Sequence, residues 1–168
     1  MTLRLIVMRH AKSSWDDPLL PDFERTLNKR GLRNAATMGR WLADTGYIPD
    51  TVLLSSSVRT TQTCACVLDA AGISPMQVST KALYHAPDFQ ILRTLAQAKG
   101  NTVLLIAHNP GIGDFVSHFA AQPVTHPDFV RYPTAATTVF EVDVATWAKA
   151  RFGENRVLEF TTPRDLER

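Results

Sequence analysis

Three short stretches hold most of the reactive side chains of this 168-residue chain: Arg9-His10-Ala11-Lys12, Ser55-Ser56-Ser57-Val58-Arg59 and His108-Asn109-Pro110-Gly111. Each directly follows an aliphatic run, namely Leu5-Ile6-Val7-Met8, Val52-Leu53-Leu54 and Val103-Leu104-Leu105-Ile106-Ala107. A guanidinium offers a flat fork of donors that matches phosphate oxygens and stays charged. Imidazole attacks phosphorus when one ring nitrogen is unprotonated. A second imidazole can donate a hydrogen bond to the charge on the transferring group. Asn109-Pro110 and Ser57 are placed to open helices, whose free N–H groups and positive dipole end favour an anion. Two histidines, two arginines and two helix ends suit a dianion better than a carboxylate. Phosphoryl transfer is therefore the expected chemistry, with Arg9, His10, Arg59 and His108 at its centre and Asn109 beside them.

These groups meet only if the chain lays its strands side by side. Short apolar runs suit buried strands, and the pattern predicts strands over 3–8, 51–54, 77–80, 102–107, 138–144 and 157–161. Asn28 is a helix cap, followed by Leu32, Ala35, Ala36, Gly39, Leu42 and Ala43 at helical spacing up to Gly46. Ser57 caps a second helix with Thr61, Ala65 and Leu68 on one face. Asp88 caps a third, with Ile91, Leu92 and Leu95, and a fourth over 110–122 turns Ile112, Phe115, Val116 and Phe119 inward. A short helix is expected at 147–151, and the Pro- and acid-rich stretch 13–24 reads as a loop. The alternation predicts an α/β fold in one domain over 1–168, a three-layer sandwich with a mostly parallel central sheet and helices on both faces. Ligands in such folds bind at the carboxyl ends of the strands, where the three reactive stretches lie.

Composition removes several classes of function. A hydrophobic fraction of 45%, with 20% charged residues, is ordinary for a globular protein and excludes a disordered scaffold. A net charge of +2, with basic and acidic residues mixed, gives no basic stripe for nucleic acid. The apolar runs fall far short of the ~20 residues of a membrane span, and no leader pattern opens the chain. A cytoplasmic protein without nucleic-acid or membrane partners is expected. Cys64-x-Cys66 suits neither a redox pair nor half a zinc ribbon, and reads as helix residues in a reducing compartment. No P-loop, nucleophile-elbow or dinucleotide fingerprint is present. His10, His85 and His108 with Asp16, Asp17 or Asp88 could in principle hold a metal, but arginines beside such ligands oppose a cation. No metal is expected. His118 and His126 read as surface or loop residues.

The order of these stretches resembles the histidine phosphatase superfamily, the phosphoglycerate-mutase-like fold. The segment 5–12 resembles its Arg-His-Gly signature, and Leu54-Ser55-Ser56-Ser57-Val58-Arg59-Thr60-Thr61-Gln62-Thr63 resembles its second-strand motif. Ile106-Ala107-His108-Asn109-Pro110 is similar to its second-histidine motif, and Arg25-x-Leu27 leading to Gly31 is similar to the stretch before its first helix. The Arg-His-Ala-Lys-Ser-Ser-Trp opening and short length resemble the SixA-type phosphohistidine phosphatases. The resemblance implies His10 as nucleophile, Arg9, Arg59 and His108 as the rest of the phosphate pocket, and no metal or organic cofactor. Arg25 either reaches the pocket or braces the first helix.

Two departures stand out. Ala11 replaces the glycine after the nucleophile. The segment Leu83-Tyr84-His85-Ala86-Pro87-Asp88 lacks the glutamate that ester-cleaving members place there, leaving His85 as the candidate proton donor. An alkoxide leaving group needs a proton, an effect worth about 10²–10⁴-fold, whereas an imidazole leaving group is far less basic. The expectation is a phosphatase acting on phosphohistidine in a partner protein, such as a histidine phosphotransfer-type domain. The alternatives are a phosphatase for a small phosphorylated metabolite, with His85 or Asp88 as acid, and a non-catalytic phosphate-binding module.

Overall fold

The computed structural model describes residues 2–167 of the chain. Alternation along the central strands builds a core on each side of one sheet. In β1 (Leu3–Arg9), Leu3, Leu5 and Val7 face one core, while Ile6 and Met8 face the other. β2 (Thr51–Ser55) and β4 (Thr102–Ala107) divide in the same way, with Leu53, Val103 and Leu105 on the first side and Val52, Leu54, Leu104 and Ile106 on the second. With β3 (Met76–Thr80), β5 (Thr137–Val142) and β6 (Arg156–Thr161), they form a six-stranded sheet in the order β3-β2-β4-β1-β5-β6. The first four strands are mutually parallel; β5 pairs antiparallel with β1, and β6 pairs antiparallel with β5. This is the α/β sandwich read from the sequence.

Helices α1 (Lys29–Thr45) and α2 (Val58–Ala71) cover one face. Helices α3 (Asp88–Leu95) and α4 (Gly111–Phe119) cover the other, and α5 (Pro163–Leu166) ends the described chain. Asn28 and Ser57 cap as expected, accepting from Gly31 N and Thr60 N. No helix among the described residues is long and apolar enough to cross a membrane.

The helix faces correct the sequence reading. Leu32 is 44% exposed, and Ala43, Thr61 and Ala65 also face solvent. α1 instead buries Gly31, Asn34, Ala35, Met38, Gly39 and Leu42. Gly39 decides this: a Cβ there would lie 2.3 Å from the Val67 carbonyl oxygen, so the two helix backbones touch along the glycine side. α2 turns Arg59, Thr60 and Thr63 inward because each has a polar partner there, Thr60 donating to the Ser55 carbonyl at 2.6 Å. Asp88 is not a cap. Pro87 holds that position, and Asp88 accepts from the Phe89 N–H at 2.7 Å and pairs with His118 Nδ1 at 2.5 Å. The fourth helix stops at Phe119, and the expected helix near 147 is a single 3-10 turn, Trp147–Lys149.

Candidate active site

Parallel register brings the reactive stretches to one rim. Arg9 pairs with Ala107 and Leu54 with Ile106, so β1, β2 and β4 end together, with His10 and His108 one step beyond β1 and β4. Their rings lie 5.2 Å apart between centroids. They open on a cavity of about 260 Å³ lined by Arg9, His10, Lys12, Ser13, Trp15, Asp22, Arg25, Arg59, His85, His108, Asn109 and Thr134. Small-molecule pockets usually start at about 300 Å³, so this one suits a phosphoryl group whose remainder projects outward. A larger groove of about 440 Å³ between β3 and α3 contains no histidine, cysteine or carboxylate.

His10 is 6% exposed, and its Nδ1 lies 2.8 Å from the Ala11 carbonyl oxygen. A carbonyl only accepts, so Nδ1 bears the proton and Nε2 keeps its lone pair. Burial, followed by the charges of Arg9, Arg59 and Arg25, outweighs the Ala11 hydrogen bond and lowers the imidazole to about 3. His10 is therefore neutral near pH 7. Thr63 fixes the loop beneath it, accepting from the Ala11 N–H at 3.0 Å and donating to the Arg59 carbonyl at 2.7 Å.

His108 is set the opposite way. Its Nδ1 faces Arg59 Nη2 at 3.2 Å, and its Nε2 faces Ser55 Oγ at 2.8 Å. A guanidinium only donates, so Nδ1 accepts and Nε2–H donates to Ser55. Burial, His10 and Arg59 lower this ring to about 2. A hydrogen bond from His108 Nδ1 to a phosphoryl group thus requires a second proton on the ring, which a dianion beside it favours.

Arg59, 2% exposed, donates through Nη1 to the Asp22 carbonyl at 2.7 Å and through Nη2 to Asp22 Oδ2 at 3.0 Å. Arg9 donates to the Tyr132 carbonyl at 3.2 Å; burial and the neighbouring Arg59 lower its pKa. The Nε groups of both Arg9 and Arg59 are buried with no acceptor among the described residues. Such orphaned donors are rare in native proteins, and both belong to arginines that line the cavity. Arg25 reaches the pocket, and it braces the 13–24 loop rather than the first helix. It ties that loop down through Ser13 Oγ at 2.7 Å and Asp22 Oδ1 at 3.1 Å, with its guanidinium 3.6 Å over the Trp15 ring.

Asn109 lines the cavity, but both its N–H donors are engaged, by the carbonyls of Arg131 and Tyr132 at 3.0 Å each. It braces the 131–134 segment. His85 stacks on His108 at 5.2 Å and 8°, with Nε2 2.9 Å from Asp22 Oδ2, and its side chain is half exposed. Asp88 is absent from the cavity lining. Among the described residues, no group of three or more His, Cys, Asp and Glu is arranged to hold a metal ion.

The sequence reading missed Asp22 and Tyr84. Asp22 sits in a 3-10 turn, Asp22–Glu24, and its carboxylate also accepts from the Tyr84 hydroxyl at 2.6 Å. Burial would raise its pKa, but the hydrogen bonds from Tyr84, His85 and Arg59 hold it below the usual carboxylate range. Nothing in the local pattern marks Asp22, one of four acidic residues in a proline-rich stretch.

The family model described as histidine phosphatase superfamily (branch 1) matches residues 5–82, which hold Arg9, His10 and Arg59. Over this stretch, just under half of its length, the chain is similar to the histidine phosphatase superfamily. A structure described as the phosphohistidine phosphatase SixA from Nakamurella multipartita superposes with a TM-score of 0.81 at 27% identity, covering 97% of each chain. Its counterpart from Agrobacterium tumefaciens gives 0.78 at 26% identity, over 96% of this chain and 98% of that one. A chloroplastic protein of Arabidopsis thaliana is 45% identical over 60 residues, which span 36% of this chain but only 28% of that protein. The match to the histidine phosphatase superfamily and the SixA-like structures together support phosphatase activity.

Proposed function

We propose that this chain is a metal-independent phosphatase that carries the phosphoryl group on His10 and acts on phosphohistidine in a partner protein, such as a phosphotransfer domain. In this reading the whole chain is one catalytic domain, working in the cytoplasm, where free Cys64 and Cys66 stay reduced. The observation that carries the reading is the His10 ring. It is neutral, with Nδ1–H held by the Ala11 carbonyl and the Nε2 lone pair available, in a pocket of guanidinium groups.

In the first step Nε2 attacks phosphorus, and the bond to the leaving group breaks with its electron pair on that group. The guanidinium groups of Arg9 and Arg59, which line the cavity, supply hydrogen bonds to the phosphoryl oxygens. In the second step water attacks the phosphohistidine, releasing phosphate and returning His10. Arg9, Arg25, Arg59 and Lys12 around one cavity oppose a bound cation.

The leaving group supports the choice of substrate. The 83–88 segment carries no carboxylate into the cavity, and the Nε2–H of His85 is directed at Asp22 rather than held ready for an alkoxide. A phosphorylated imidazole has no such requirement. The SixA descriptions of the structural neighbours agree with it.

The test is phosphate release in EDTA on a phosphohistidine protein and on alkyl phosphates, wild type beside His10→Ala. The expected result is a preference for phosphohistidine, with the variant at background because no other cavity side chain replaces the nucleophile. Efficient alkyl ester hydrolysis by the wild type would overturn the substrate assignment. Turnover retained by the variant would remove His10 as nucleophile.

A further inference from the structure

A carboxylate within an anion pocket needs a reason. Asp22 repels phosphoryl oxygens and competes with them for Arg59, so for a phosphate ester it is a handicap. Its partners on every side are cationic or hydrogen-bond donors: Arg25 Nε, Arg59 Nη2, the Tyr84 hydroxyl and His85 Nε2. These keep it ionised. The carboxylate therefore stays an acceptor and does not serve as a proton donor.

Burial gives the direction of the reaction. His10, Arg59 and His108 form the floor at 6%, 2% and 2% exposure, whereas the side chains of Asp22 and His85 are 42% and 50% exposed at the mouth. In-line attack from the floor pushes the leaving atom toward the mouth. The group arriving beside Asp22 is the leaving group.

We infer that the Asp22 carboxylate determines specificity by accepting a hydrogen bond from the protonated distal nitrogen of a phosphorylated imidazole. The inference rests on the phosphohistidine reading above and extends it to a residue that reads the leaving group. As phosphoryl oxygens take Arg59, Oδ2 keeps Tyr84 and His85 but loses one donor, and the ring N–H takes that place, while Arg25 keeps hold of Oδ1. The His10 Nε2 lone pair forms the new N–P bond. The P–N bond of the substrate breaks with its electron pair on the ring nitrogen, and the distal nitrogen keeps its proton. The ring departs as neutral imidazole, and Asp22 is a carboxylate throughout. An ester oxygen offers no such N–H, and there Asp22 only opposes binding.

The two effects of Asp22 have opposite signs, which makes the test specific. Asp22→Asn should lower kcat/KM on a phosphohistidine peptide about 10–100-fold, the worth of one charge-assisted hydrogen bond. On p-nitrophenyl phosphate, whose leaving group needs no proton, the same variant should lower KM by about three-fold as Arg59 loses its competing anion. Asp22→Glu, which keeps a carboxylate, should recover part of the phosphohistidine activity. Parallel losses on both substrates, without recovery in the glutamate variant, would show that Asp22 only holds Arg59 and would overturn the inference. Wild-type turnover of p-nitrophenyl phosphate with none on phosphohistidine would overturn the substrate reading itself, and the inference with it.

Discussion

In the proposed reading, His10 and Arg59 show how one buried pocket prepares a nucleophile and an anion site together. The charges that would bind a phosphoryl group also prevent His10 from taking a proton, so the cationic pocket and the free lone pair have one cause. Arg59 is central because one guanidinium reaches both the Asp22 carbonyl and carboxylate and the His108 ring, while its Nε–H has no acceptor among the described residues. Lysine is a single ammonium and spans none of these pairs. Arg59→Lys is expected to lower kcat/KM on p-nitrophenyl phosphate by about 100-fold, as for loss of a preorganised oxyanion donor. Steady-state rates within two-fold of wild type would place Arg59 outside the phosphoryl site.

At the scale of elements, close backbone contact holds the site in register. α4 begins directly after His108-Asn109-Pro110, and Gly111 lets its first turn lie against the 84–87 segment. A Cβ on Gly111 would fall 1.8 Å from the Ala86 carbonyl oxygen, a backbone atom that moves only with its segment. That segment carries Tyr84 and His85 to Asp22. Gly111→Ala should therefore destabilise the fold by about 1–3 kcal/mol through overpacking and reduce turnover as well. Urea unfolding beside activity checks both, and an unchanged midpoint would show that α4 can slide without cost. Gly31 works likewise, its hydrogen facing the Lys12 carbonyl, where a Cβ would sit at 2.1 Å.

Across the whole molecule, two neutral histidines beneath one sheet edge couple stability to pH. In the unfolded chain both take up protons as pH falls through 6.5, whereas folded His10 and His108 stay neutral down to about 3 and 2. The unfolded state then binds more protons, so stability is fully present above pH 6.5 and declines as pH falls toward 3. This pair adds a slope of at most about 3 kcal/mol per pH unit. Chemical denaturation should show lower stability at pH 5 than at pH 7.5, with a smaller difference in His10→Asn/His108→Asn. The same difference in the double variant would mean that other groups carry it.

Much of this was legible in local patterns. Period-two burial in β1 and β4, the caps at Asn28 and Ser57, and the placement of Arg9, His10, Arg59 and His108 at or shortly past strand ends each depend on a few neighbouring residues. A short apolar run bounded by polar residues therefore announces both a strand and the rim where its chemistry sits. Other features depend on chain that is distant in sequence. Gly39 against Val67 turned the helix faces away from Leu32 and Thr61. Asp22 reaches Arg59 and His85 across 37 and 63 residues, and Asp88 meets His118 across 30. The proton positions on His10 and His108 follow from which atom, carbonyl, hydroxyl or guanidinium, lies against each ring nitrogen. Sequence by itself determined the sheet, its helices and the central pocket residues. Only tertiary packing decided the partner of each polar atom, because a hydrogen bond depends on tenths of an ångström set by both cores at once.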